Sequence, residues 1–470
     1  MVETRTNSSR VADLLVTLDP VSREPLHRQI ETTIRDQIRT GKLRRGSPLP
    51  PTRNLAATLG VSRGVVVEAY EQLTAEGYLS ARTGGYTEVA IDPHPPTDPA
   101  TKPTQPPRPR IDFRYGRADP AQFPRTAWLR SINRAVPAAP TERFNYLDGH
   151  GAIELRTALA DYLNRVRGTA AHPDRIVITN GYAQAIGLLI QTMAAAGART
   201  LAIEDPSPHD DALPLAVAAG LDITGIPVDE EGIRVDKLST VDAGAVVVTP
   251  SHQWPTGAVL APERRAELLR WARTHDALII EDDYDAEYRY DRAPIGAIQG
   301  LDPDHVAYAG TGSKTLAPGL RLGWLALPHH LVTQVAEAKL AADRGSPVID
   351  QLAFADFLTH GDFDRYLRRM RPIYRSRRDA LLAALQQHLP LWEPTGISAG
   401  FHLVTWLPPD LQEDEVVAAA AQHDVGVYGL SPYRIAPGRP GLLFGYAGLT
   451  EQTITDGIAR LALAIGDLSP

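Results

Sequence analysis

The 470-residue chain contains no cysteine. That absence excludes a disulfide framework, thiolate-ligated zinc, iron–sulfur clusters and a thiol nucleophile. Long hydrophobic runs are missing too. No apolar stretch approaches the roughly 20 residues a membrane helix needs, and the opening MVETRTNSSR lacks the apolar core of a signal peptide. The expectation is a soluble, cytoplasmic protein with no membrane partner. Nor is there an excess of positive charge, since the formal net charge is −8. That argues against a basic coat but leaves room for a local nucleic-acid surface. What is present is a globular balance, 43% hydrophobic and 22% charged, able to bury a large core. The length suggests about three structural units.

The clearest break is 93–110, PHPPTDPATKPTQPPRPR, with eight prolines and almost no large apolar residue. Such a stretch forms neither a helix nor a central strand and reads as an extended, semi-rigid linker. It separates an expected domain at 10–92 from one at 111–470. Residues 1–92 hold 12 Lys/Arg against 11 Asp/Glu, while 111–470 hold 33 against 44. Between 35 and 67 there are seven basic residues and a single acid, Asp36. The first domain thus hides a basic face behind a near-neutral sum.

Leu26, Ile30, Ile34 and Ile38 recur every fourth residue, which predicts one apolar stripe on a helix ended by Gly41. Thr52 is placed to cap a second, short helix with Leu55, Ala56 and Leu59 inward and Gly60 as its stop. Ser62 is placed to cap a third, with Val66, Tyr70 and Leu73 inward and Gly77 at its end. Two short helices joined by LGVS form a helix-turn-helix, and YLSARTGGYTEVAI predicts a two-stranded wing around Gly84 and Gly85. In that geometry Ser62 and Arg63 approach phosphates or base edges, Thr52 and Arg53 the backbone, and Arg82 and Gly84 the adjacent strand. A solvated basic hairpin used for protein contact is the alternative. The stretch PLHRQIETTIRDQIRTGKLRRGSPLPPTRNLAATLGVSRGVVVEAYEQLTAEGYL resembles the winged helix-turn-helix of GntR-type bacterial regulators along essentially its whole length. Gly64 in the third helix and the wing RTGGYTEVA depart modestly from that pattern.

From about 170 to 330, short apolar runs such as RIVIT, TLAIE, AVVVT, ALIIE and HVAYAG alternate with helical patterns. This predicts a mostly parallel α/β sheet, followed over 351–470 by a smaller α+β lobe. Four signals sit at strand ends, where such sheets bind ligands. TNGYAQAI places Gly181 at a helix start suited to phosphate, or to an ordinary turn. IIEDDYDAEY places Asp282 and Tyr284 two apart on one face, for a ring-nitrogen partner, a metal or no ligand at all. GTGSKTLAPGLRLGW places Lys314 in a small-residue loop with Thr311, Ser313 and Arg321 near it. A Schiff-base lysine, a phosphate lysine and a solvated one are all open there, although the nucleotide pattern GxxxxGK[ST] is absent. TPSHQWPTG projects His252, which is equally readable as structural.

Together with FPRTAWLR, YLDGHGAIELR and GLLFGYAGL, these motifs resemble fold-type I pyridoxal-phosphate enzymes of the aminotransferase class. The two-part chain is similar to MocR/GabR-type regulators. The resemblance implies pyridoxal 5'-phosphate as cofactor, with Lys314 carrying it as an internal aldimine, Asp282 on the pyridine nitrogen and Tyr284 on the phenolic oxygen. It implies Gly181, Tyr182, Ala183, Thr311, Ser313 and Arg321 around the phosphate, with Tyr146 reaching in from a partner subunit. Arg434, in SPYRIAPG, would hold an effector's carboxylate, with His252 nearby. It further implies promoter DNA as partner, an amine, amino acid or the cofactor itself as effector, and a domain-swapped homodimer. No metal is implied. One departure stands out. Where the family usually reads EDPGY, with an aromatic on the cofactor ring, this chain reads EDPSPHD, so His209 stacks in its place or the ring is held more loosely. A working aminotransferase with a DNA-binding appendage, and a regulator whose large domain is only a dimer scaffold, are the alternatives.

Overall fold

The structure, a computed structural model, describes residues 14, 16–19, 21–81, 86–92, 109–208, 212–290, 295–396 and 398–466. The chain divides into two compact units, Met1–Pro106 and Pro107–Pro470.

In the first unit three helices, α1 (Leu26–Arg39), α2 (Thr52–Leu59) and α3 (Arg63–Ala75), pack around one core, and β1 (Leu79–Ala81) pairs antiparallel with β2 (Thr87–Val89). The apolar stripe of α1 does what its spacing dictates: Ile30, Ile34 and Ile38 are fully buried against Val66 and Leu73. Burial of each such side chain contributes roughly 1.5–3 kcal/mol of transfer free energy. Gly60 ends α2 in the left-handed region at φ +67°, and three residues later α3 begins. One local expectation is corrected. Pro51, not Thr52, occupies the cap position of α2, and Thr52 is already the first helical residue. Proline fixes φ near the value a helix start needs, so it takes the boundary without a side-chain bond. Ser62 does hold the cap position of α3, again without a side-chain cap bond. Arg82 and Gly84 lie outside the described residues.

The second unit is built on an eight-stranded sheet. Its strands are β3 (Ile176–Thr179), β4 (Thr200–Asp205), β5 (Asp222–Asp229), β6 (Gly232–Ile233), β7 (Ala245–Val248), β8 (Leu278–Asp283), β9 (Val306–Thr311) and β10 (Gly323–Ala326). The order is β3-β10-β9-β8-β7-β4-β5-β6. Strands β9, β8, β7, β4 and β5 run parallel, while β10 runs antiparallel to both its neighbours. Both faces are covered, as the near-continuous apolar strands require. Val177, Leu201, Ala245, Ile280 and Ala307 pack on one side with helices Tyr182–Ala195 and His329–Asp343. Their sequence neighbours Ile178, Ala202, Val246, Ile279 and Val306 face the other side, the period of two expected of strands.

A four-stranded antiparallel sheet forms the smaller lobe, in the order β11 (Glu393–Thr395), β12 (His402–Trp406), β14 (Gly441–Gly445), β13 (Tyr428–Gly429). The lobe draws on more than the C-terminal residues. Ile111–Asp112 pairs parallel with Val425–Gly426, and Phe113, fully buried, packs edge-on against Phe444. Two residues of strand leave no periodic trace, so this return of the chain carries no sequence signal. The 27-residue helix Asp362–His388 joins the layers, with Tyr374 in the large-sheet core and Leu381 in the lobe core. Among the described residues no helix is long and apolar enough to cross a membrane.

Candidate cofactor and effector site

The parallel strands all end on one edge, and residues at the ends of β4, β7, β8 and β9 line a cavity of about 680 Å³. Each strand end delivers something different. After β3 the chain turns through Gly181, at φ +85°, into helix Tyr182–Ala195. The first N–H groups of that helix point outward with no intrahelical partner, which makes an anion site. After β9, Thr311 caps a short turn by accepting from the Ser313 N–H (3.1 Å), and Lys314 follows.

The reversed strand supplies the third piece. Gly323 of β10 is in register with both Thr311 of β9 and Thr179 of β3. Arg321, two residues before it, therefore arrives beside the β3 turn and donates from Nη2 to the Asn180 carbonyl, 2.7 Å away. Arg321 itself sits at φ +50°, a conformation that costs a non-glycine residue about 1 kcal/mol or more. A Cβ on Gly181 would stand 3.0 Å from that guanidinium.

Strand β8 explains the acidic run. Side chains alternate across a strand, and here the odd-numbered acids turn away from the cavity. Glu281 accepts from the backbone N–H groups of Ile298 and Gln299, both at 2.9 Å. Asp283 accepts from the fully buried Arg167 and from the Tyr308 hydroxyl, both at 2.7 Å. Asp285 Oδ2 lies 2.9 Å from His252 Nδ1. The even-numbered Asp282 and Tyr284 line the cavity. Burial pushes the Tyr284 phenol well above its ordinary range, so it is held protonated. Its hydroxyl donates to the His252 carbonyl (3.0 Å) and lies 3.0 Å from His252 Nδ1. Burial also holds the neighbouring His402 well below the usual histidine value, hence neutral.

On the facing wall Lys314 Nζ donates to the Gly116 carbonyl at 2.6 Å. Gly116 belongs to the segment Arg114–Arg117, which the sequence reading did not single out. Tyr428 and Tyr433 complete that wall from the smaller lobe. Arg114 was illegible in the sequence, because an exposed arginine some 200 residues from the lysine reads as solvated surface.

Residues 26–89 match the sequence model of the gntR family of bacterial regulatory proteins, and residues 116–461 that of class I and II aminotransferases. The HTH-type pyridoxine biosynthesis transcriptional regulator PdxR of Corynebacterium glutamicum is 34% identical, across 97% of this chain and 99% of that protein. The probable rhizopine catabolism regulatory protein MocR of Rhizobium meliloti is 33% identical, across 96% of each. The chain belongs to the MocR/PdxR-type transcriptional regulators. Of solved structures, the kynurenine aminotransferase of Pyrococcus horikoshii superimposes with a TM-score of 0.70 at 25% identity, over 77% of the regulator and 91% of the enzyme. The regulator thus joins a GntR-type winged helix-turn-helix to a fold-type I aminotransferase domain.

Folds of this class depend in general on pyridoxal 5'-phosphate, and the residues present fit that group. The regulator's cavity offers a helix N-terminus, a guanidinium and hydroxyls for a phosphate dianion, with a carboxylate and a lysine amine on the same cavity. Gly181, Tyr182, Ala183, Thr311, Ser313 and Arg321 would hold the phosphate, Asp282 the ring nitrogen, and Tyr284 the ring oxygen. Pro208 lines the cavity where the family's aromatic would stand, and His209 lies outside the described residues. Tyr146 is 86% exposed and does not reach its own subunit's cavity.

Two expected effector residues are not where the resemblance placed them. His252 is 4% exposed, lies against Asp285 and Tyr284, and does not line the cavity. Arg434 lines a second cavity of about 630 Å³ instead. The reason is a long-range contact. Asp205, at the end of β4, accepts from the Ile435 and Ala436 N–H groups (3.0 and 2.9 Å), which turns the loop outward and lays Arg434 over Trp406.

Proposed function

We propose that this regulator binds promoter DNA through α2 and α3, holds pyridoxal 5'-phosphate at Lys314, and changes its DNA binding when an amine, an amino acid or the cofactor itself occupies the cavity. The observation that carries the reading is the convergence of Tyr182, Asp282, Lys314 and Arg321, from four separate strand ends, on one cavity. When bound, the cofactor supplies an aldehyde that reacts with amines. The protein's share is positional. The Gly116 carbonyl orients the Lys314 amine, Asp282 offers a carboxylate to a protonated ring nitrogen, and Tyr284 presents a protonated phenol. On the DNA side, Arg53, Ser62 and Arg63 are exposed and Thr52 is half-buried, all around the start of α2 and α3. An exposed Tyr146 suits a homodimer in which it meets the partner's site, and a DNA-binding regulator works in the cytoplasm. Effector affinity that differs between two conformations would couple the cavity to DNA.

A visible absorption spectrum with added pyridoxal phosphate tests this reading. The parent is expected to show a cofactor band that borohydride traps on the protein, and Lys314→Ala is expected to show none. Asp282→Ala should weaken cofactor retention about tenfold or more, as a charge-assisted bond is lost. An identical spectrum for parent and Lys314→Ala would overturn the cofactor assignment. The completeness of the same residue set also favours a second reading, slow transamination. Steady turnover with an amino donor and a 2-oxo acid, without sequence-specific DNA binding, would put that reading first.

A further inference from the structure

Part of the main cavity's lining has no role in holding a cofactor. Beyond Lys314 its walls are Arg114, Tyr115, Arg117, Trp254, Tyr428 and Tyr433, and the only carboxylate among the lining residues is Asp282, on the cofactor side. The aromatic rings form a continuous wall. Tyr115 packs against Trp254 (5.5 Å), Tyr428 (5.6 Å) and Tyr433 (5.7 Å), and Trp254 meets Tyr433 edge-on at 4.8 Å.

Arg114 is fixed in a particular way. Tyr428 donates its hydroxyl to Asp112 Oδ1 (2.6 Å) and accepts from Arg114 Nε (2.9 Å), while the guanidinium lies 5.3 Å over the Tyr428 ring. The ion pair with Asp112, at 3.5 Å, also uses Nε. The described bonds of Arg114 therefore occupy one nitrogen and leave the two-pronged Nη edge, the edge that matches a carboxylate. That edge belongs to a residue two positions from Gly116, whose carbonyl marks the place of the reactive amine.

Resting on the proposed cofactor reading, we infer that this part of the cavity selects an amino acid with a flat, apolar body: its amine meets Lys314, its carboxylate meets Arg114, and its body lies on the Tyr115–Trp254–Tyr433 wall. Arg114, not Arg434, is then the specificity-determining cation. Arg117 adds a second positive charge on the same wall, which offsets the Asp112 carboxylate paired with Arg114.

Calorimetric titration of the full chain with added pyridoxal phosphate tests this, using L-phenylalanine, phenethylamine (the same body without the carboxylate) and L-alanine (the same head without the body). Phenylalanine is expected to bind about tenfold or more tightly than either of the others. Arg114→Ala should erase the preference over phenethylamine, Arg114→Lys should keep part of it, and Arg434→Ala should leave it intact. Equal affinity for phenylalanine and phenethylamine, no heat from phenylalanine, or loss of the preference in Arg434→Ala alone would each overturn the assignment. The cofactor band recorded on the same samples separates the two readings. A band without the Arg114-dependent preference sinks this inference only, and the preference without a band sinks the cofactor reading and leaves the anion site standing.

Discussion

The residues that define the cavity are supported from behind by buried acids whose protonation the fold controls. Glu204, at the base of the β4 turn, is 3% exposed and accepts from the Thr249 N–H (3.1 Å) and hydroxyl (2.6 Å). Burial nonetheless pushes its carboxyl up to about 7, and Glu281 behaves likewise. The sign follows directly. A carboxyl raised in the folded state holds its proton where the unfolded chain has lost it, so stability is present below the unfolded value and falls as pH rises through the folded one. The large unit should therefore lose stability between about pH 5 and pH 8. Glu204→Gln, which keeps the shape without the charge, should remove on the order of 2 kcal/mol of that loss. Melting temperatures across that range for parent and variant decide it, and parallel curves would count against the assignment. Residue-scale logic was partly legible beforehand. Asp282 and Tyr284 were readable because a strand's period of two selects them from an acidic run. Arg434 was not, because the direction of its loop is set by the Asp205 caps on Ile435 and Ala436, a contact about 230 residues away in the chain.

Elements were legible where a period or a stop signal spoke. The four-residue repeat gave α1 and the glycines gave the ends of α2 and α3, while the two-residue strand at Ile111 had nothing to announce it. Gly60 shows what such a stop is worth. A Cβ there would meet nothing within 4 Å, so any cost of substitution is conformational. Gly60→Ala should destabilise the helix-turn-helix by about 1 kcal/mol. Because the residue sits between α2 and α3, promoter affinity should fall with it, while the spectrum with pyridoxal phosphate stays unchanged. Thermal unfolding beside a DNA titration checks this, and full stability with full affinity would show that the turn tolerates a side chain.

At the scale of the whole molecule, each unit has its own hydrophobic core, and the cavity is lined by residues of the second unit alone. A ligand that binds only one folded unit stabilises that unit, by about 2.7 kcal/mol at a hundred times its dissociation constant. Calorimetric scans should thus show pyridoxal phosphate raising one transition and promoter DNA the other. A single transition moved equally by both would mean the units unfold as one. The reversed strand β10, which lands Arg321 beside the β3 turn, has a consequence in time as well as in space. The bond it makes spans 141 residues of chain. Closing a loop of that length costs chain entropy, and chains rich in such distant contacts fold slowly as a whole. The anion cradle is therefore expected to be complete only once both β3 and β10 are in the sheet, so a phosphate binds after the sheet that creates its place. Cofactor supply would govern how long the folded regulator lasts in the cell, and not how quickly it is made.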